Sequence, residues 1–382
     1  MKHKLIPFLF ILGILIPTSI NREMTNVFVF GGCTLLLLSL VYMLDKQKNI
    51  PIKSFYILLF INCLLFIFTF TSHLTEYRFG NSLYFLILSL IFLFDFNGLD
   101  TNIEKYRKSL QIVNLILITF SISIIYNFTP IVNFLHNWFS AFYIELLPNM
   151  FAQKKPVSTF GTHSIAGFYY FILFILNFVT YYFLKKKLHL FISLLYMLFL
   201  YNIQSSTSLV YFLVCIFAIA FLLFKKSKRI FFMSAIVISI IIAIKFNDIT
   251  IFQKVNDKLF STNNGLLVRY SATGTLKENI KYITRHPFNG IGFGYSNTYQ
   301  YVDSGIVEYS LRGSVFTLLA ILLGFYHFLR RNLTKSISIF IFILFLSFET
   351  GFSNLIYFRS LFILPFLVAY LNKLTNENTS KI

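Results

Sequence analysis

Apolar runs recur along most of this chain, many of about 17–25 residues, the length that carries an α-helix across a bilayer. Hydrocarbon offers no water to a backbone amide. A run of this kind must therefore satisfy its own N–H and C=O groups, which a helix does within one segment. Twelve runs can be read, at 5–20, 25–44, 54–72, 81–97, 109–128, 161–184, 188–204, 207–224, 230–246, 312–329, 336–350 and 354–371. The expected fold class is an all-α polytopic membrane protein of about 12 transmembrane helices, one integral membrane domain over 1–382. The start, MKHKLIPFLFILGILIPTSI, has a basic head like a signal peptide, but no clear small-x-small cleavage pattern follows. It is expected to stay as the first span.

Composition agrees. The chain is 57% hydrophobic and carries 50 Phe and 23 Tyr, suited to lipid contact and interfacial belts. Cys33, Cys63 and Cys215 all fall inside apolar runs. That argues against a disulfide framework and against a zinc site. The net charge of +19 would suggest nucleic acid in a soluble protein. Here the loops explain most of it. Of 33 Lys and Arg, 20 lie on the side that holds both termini, including Lys185, Lys186, Lys187, Lys225, Lys226, Lys228 and Arg229. Short loops set orientation, so both termini are expected in the cytoplasm and the long segments 129–160 and 247–311 outside it. No nucleic-acid partner is expected.

The positive charges of the outer segments are not required by that rule. Within 247–311, the stretch GLLVRYSATGTLKENIKYIT places Ala272, Leu276, Ile280 and Ile283 on one helical face. This predicts an amphipathic helix. Arg269 falls on that stripe, where it either meets an anion or precedes the first turn and points to water. Then comes RHPFNGIGFG. Pro287 ends a helix, and Gly290, Gly292 and Gly294 follow at spacing two. A dinucleotide-binding glycine loop needs a strand before it and a helix after it, so that reading is set aside. What remains is a close-approach backbone turn able to nest an anion, or a plain flexible connector. Beyond it stand Asp303, Glu308 and Arg312. The acids are candidate general bases and the arginine a phosphate clamp, or each is an interfacial charge. Arg285 and His286 precede the proline. His163 heads the sixth span, and Arg359 lies inside the twelfth, where charge is costly. Acids and histidines are too scattered for a metal site. Chemistry outside the cell also lacks ATP, so a pre-activated anionic, lipid-linked substrate is expected.

At this point the chain resembles the O-antigen polymerase and O-antigen ligase family, bacterial membrane glycosyltransferases of about a dozen spans with a large late outer loop. The resemblance is carried by Arg269, by RHPFNGIGFG, by DSGIVEYSLRG (303–313) and by STFGTHSIAG (158–167), which is similar to the family's G-T-F segment at the head of a span. IQSSTSLVYF (203–212) stands where members often show T-x-S-R, but Ser206 is followed by Thr207. Lys154 and Lys155 stand near the place of another family arginine. Asp303-Ser304 replaces the His-Asn usual in ligases, which favours a polymerase.

The resemblance implies a metal-independent glycosyltransferase without a cofactor. It would polymerise undecaprenyl-pyrophosphate-linked repeat units into O-antigen or capsule at the outer face of the bacterial cytoplasmic membrane. Arg269, Arg285, Arg312 and Arg359 would bind pyrophosphate. Asp303, then His286, would serve as base, with His163 and Glu308 as secondary candidates. Partners would be the lipid-linked donor and acceptor, membrane lipid, and a flippase and chain-length regulator of the same pathway. Rival readings are an O-antigen ligase and, in another class, a flippase or transporter of lipid-linked oligosaccharide.

Overall fold

The computed structural model describes residues 5–16, 22–45, 52–97, 103–139, 146–226, 266–271, 274–299 and 304–379. The described residues are mostly helical. They form α1 (Leu5–Leu15), α2 (Arg22–Asp45), α3 (Ile52–Thr71), α4 (Gly80–Phe92), α5 (Ile103–Ile125), α6 (Thr129–Phe139), α7 (Leu146–Ala152), α8 (His163–Leu184), α9 (Lys187–Ile203), α10 (Ser206–Lys226), α11 (Lys277–Arg285), α12 (Gly305–Asn332), α13 (Lys335–Glu349) and α14 (Phe358–Thr379). A 3-10 turn spans Leu266–Tyr270. Two short strands, β1 (Glu76–Tyr77) and β2 (Gly294–Tyr295), pair antiparallel. Among the described residues five helices are long and apolar enough to cross a membrane, those containing Ser54–Thr71, Ile103–Ile125, His163–Leu184, Gly305–Asn332 and Phe358–Asn376. The protein is therefore a mostly helical, membrane-embedded chain. The expected span 230–246 and Asp303 lie outside the described residues.

Contacts divide the chain into two units, one of 1–117, 141–144 and 272–382, the other of 118–140 and 145–271. In the first unit α14 is the centre, with 94% of its apolar window buried, whereas α3 buries only 28% of its own. The outer face of α3 (Phe55, Tyr56, Phe60, Ile67, Phe70) is exposed and apolar, as a lipid-facing surface requires. Phe10 of α1 stacks on Phe366 of α14 at 3.8 Å. At the opposite end of α12 from the glycine turn, Asn332 Nδ2 donates to Phe94 O and its Oδ1 accepts from Phe96 N. Both partners belong to segments that the charge count places on one side of the membrane. In the second unit α8 is central, packed on α9 and α10. Its cap is Thr162, whose hydroxyl accepts from Ile165 N, and Asn177 meets His189 at 2.9 Å.

Two sequence expectations change. The amphipathic helix begins at Lys277, not at Ala272, and Arg269 sits in the separate 3-10 turn. Gly274 is the reason: a glycine inside a helix costs about 1 kcal/mol relative to alanine, and its carbonyl instead closes a turn onto Lys277 N. The second change concerns α12, expected from 312, which starts at Gly305. Ser304 caps it by accepting from Val307 N, and an i,i+4 charge pair lies inside it.

Candidate functional site

The glycine turn docks onto a break in α12. Gly313 and Ser314 leave helical geometry, with Ser314 at φ 68° and ψ 177°. The break strands the backbone groups around it. In an unbroken helix Leu311 O would accept from Val315 N. Here Leu311 O accepts from Ile291 N, Arg312 O accepts from Gly292 N at 2.8 Å, and Val315 N donates to Pro287 O. The turn thus replaces the hydrogen bonds that the helix gives up, as buried backbone groups require.

The glycines follow from this docking. A Cβ on Gly290 would lie 2.2 Å from Arg312 O. Gly292 has φ +55°, and its Cβ would meet Thr69 Oγ1 at 2.2 Å and Thr69 N at 2.3 Å. On Gly294 a Cβ would meet Ile291 O at 2.8 Å and Leu74 Cδ1 at 2.9 Å. Close approach is the use of these glycines: Gly290 meets α12, Gly292 meets α3, and Gly294 meets Leu74 and the turn's own Ile291 carbonyl. Phe293 N donates to Thr69 Oγ1 at 2.9 Å, and the Phe293 ring packs edge-on against Phe66 and Phe85.

Arg312 is buried at the centre of this joint. Its Nε donates to Glu308 Oε1 at 2.9 Å, and its Nη1 donates to Gly294 O and, at 3.5 Å, to Gly292 O. Both side chains are almost fully buried. The expected phosphate clamp is committed to a carboxylate and to the turn's carbonyls. Arg359 is also wholly buried and donates to Ile14 O at 3.2 Å.

Other candidates lie on the outer flank of the turn. Glu278, Lys281, Tyr282, Arg285, His286 and Tyr299 line a cleft of about 130 Å³. Lys281, Arg285 and His286 are exposed, and the His286 ring lies 5.0 Å from Tyr282, which in turn meets Tyr299. Burial between neighbouring aromatic groups raises the Tyr282 hydroxyl pKa, with the nearby Tyr299 hydroxyl adding to the shift. The structure therefore brings Arg285 and His286 together. Arg269 and His163 belong to the second unit.

Two groups in this region had escaped the sequence reading. Glu349 is fully buried, with Tyr309 OH donating to Oε2 at 2.7 Å and Leu355 N to Oε1 at 2.8 Å. Its signal was an acid closing the run IFILFLSFE. Arg78 lies in the short loop between α3 and α4, and its guanidinium stacks over Tyr295 at 3.6 Å. Among the described residues no three His, Cys, Asp or Glu side chains gather where they could hold a metal ion. No family model, curated protein or solved structure matches the chain.

Proposed function

We propose that the protein joins lipid-pyrophosphate-linked glycan repeats, as a polymerase at the outer face of the bacterial cytoplasmic membrane, within about twelve spans and with both termini inside. The observation that carries this reading is the cleft beside the docked glycine turn. Two basic side chains, Lys281 and Arg285, face it together with the imidazole of His286, two tyrosines and the Glu278 carboxylate, which lies 3.8 Å from Lys281. Two basic side chains on an open, polar site suit an anionic leaving group. The resemblance of RHPFNGIGFG and DSGIVEYSLRG to the polymerase and ligase family supplies the glycan.

In this reaction a hydroxyl oxygen of the acceptor repeat bonds to the anomeric carbon of the growing chain. The bond from that carbon to the pyrophosphate oxygen breaks, and the electron pair leaves with the pyrophosphate. Lys281 and Arg285 stabilise the charge that develops there. The proton leaves the hydroxyl to a base, either His286 in the cleft or Asp303 beyond the described residues. Arg312 and Glu308 act one layer behind by fastening the turn. Arg269 enters this scheme through the resemblance alone.

The test is purified protein supplied with synthetic lipid-linked repeats. Polymer ladders are expected from wild type, and about 10²–10³-fold slower extension from Arg285→Ala. Transfer only to a different acceptor would make the protein a ligase. Movement of intact repeats across vesicles without bond formation would make it a flippase.

A further inference from the structure

A second concave region in the first unit uses residues outside this scheme. Val29, Phe30, Gly31 and Cys33 on α2, together with Leu83 and Tyr84 on α4, wall a cavity of about 970 Å³, closed at one end by Tyr77 to Asn81. The walls are largely aromatic and aliphatic, and Phe30 and Phe79 are exposed at 65% and 46%. A Cβ added to Gly31 or to Gly80 meets nothing within 4 Å. The gap is therefore open space between two apolar helices, large enough for a drug-sized or lipid-sized segment.

Among its described lining residues one is a cation, Arg78. Its backbone N–H donates to Phe293 O at 2.9 Å, and the two residues before it pair with Gly294 and Tyr295. Its guanidinium lies over the Tyr295 ring. A stacked guanidinium keeps its edge N–H donors for an anion and has already given up much of its rotamer freedom. Arg78 also borders a polar cleft of about 500 Å³ formed with Glu76, Tyr77, Tyr295 and Asn297. It thus stands where an apolar cavity meets a polar one. A single cation with a carboxylate nearby matches one phosphodiester charge. A pyrophosphate, with more charge, is better matched by the pair of Lys281 and Arg285.

We propose that this cavity binds one glycerophospholipid of the surrounding membrane. Its phosphate rests on Arg78, an acyl chain lies between α2 and α4, and its polar head reaches the cleft of Glu76, Tyr295 and Asn297. The lipid would tie these helix ends to the glycine turn.

Native mass spectrometry of the purified, delipidated full chain titrated with phosphatidylglycerol tests this. Wild type is expected to bind one phosphatidylglycerol about tenfold more tightly than diacylglycerol, which has the chains without the phosphate. Arg78→Ala should weaken that binding by about tenfold. Gly31→Phe fills the cavity while leaving Arg78 in place and should weaken it as much, with the lipid-free Tm unchanged. Gly80→Phe serves the same purpose if Gly31→Phe lowers Tm. Equal binding by wild type and variants would reduce the lipid to a nonspecific annular one and overturn the proposal. Displacement by farnesyl pyrophosphate below the phosphatidylglycerol concentration would reassign the cavity to the prenyl substrate. Equal competition by inorganic phosphate would leave only an anion site without a chain. The readout is lipid binding, so its failure leaves the glycosyl-transfer reading standing.

Discussion

Arg312 and Glu308, one turn apart on α12, form an ion pair at 2.9 Å with almost no exposure, and the same guanidinium donates to the carbonyls of Gly292 and Gly294. Breaking a buried pair on one side leaves an uncompensated charge, at about 3–5 kcal/mol. Arg312→Ala should therefore lower the thermal midpoint sharply and expose residues 286–299 to protease. Arg312→Met combined with Glu308→Gln should cost less than Arg312→Ala alone. A wild-type midpoint for Arg312→Ala would remove the pair from the joint.

Gly292→Ala should be severe, because alanine there needs φ near +55° and its Cβ meets the Thr69 amide and Leu65 O as well as the Thr69 hydroxyl. Since backbone atoms are involved, adding Thr69→Ala should not rescue it. Restoration of normal stability in the double variant would place the whole conflict in the hydroxyl.

The glycine spacing was legible as close approach, but its partner was not. A linear sequence does not reveal that α12 breaks at Gly313 and Ser314 and offers Leu311 O and Arg312 O to the turn. Hydropathy ended the outer loop at 311 because Glu308 and Arg312 count as polar there. Paired and buried, they are helix instead. The apolar runs gave the helices because length and hydrophobicity are local properties. Arg78 was missed because its meaning depends on strand pairing with residues more than two hundred positions later.

Glu349 holds Tyr309 OH and Leu355 N, one from each neighbouring segment. Removing it strands two buried donors, at about 1–3 kcal/mol for each unsatisfied group. Glu349→Ala should lower the midpoint more than Glu349→Gln, whose amide oxygen still accepts one of them. Gly305→Ala should behave like Glu349→Ala, since its Cβ would lie 1.6 Å from Glu349 Oε2. Equal midpoints for wild type and Glu349→Ala would show that the carboxylate does not fasten α12 to the loop before α14.

Asn297 is exposed beside the turn. A cysteine placed there, in a chain with the three native cysteines replaced by serine, should react with an impermeant maleimide in intact cells. Reaction only after lysis would invert the orientation and put the cleft in the cytoplasm.

The cleft's chemistry is tested most directly by extension of a synthetic lipid-linked repeat by purified wild type, Lys281→Ala and Arg285→Ala, read as a ladder of chain lengths. Both side chains are exposed, so both variants should fold with the wild-type midpoint. Wild type should give the ladder, and each variant should stall near single repeats. Wild-type ladders from both variants would contradict the assignment of pyrophosphate to this cleft, and no ladder from wild type would contradict polymerisation itself.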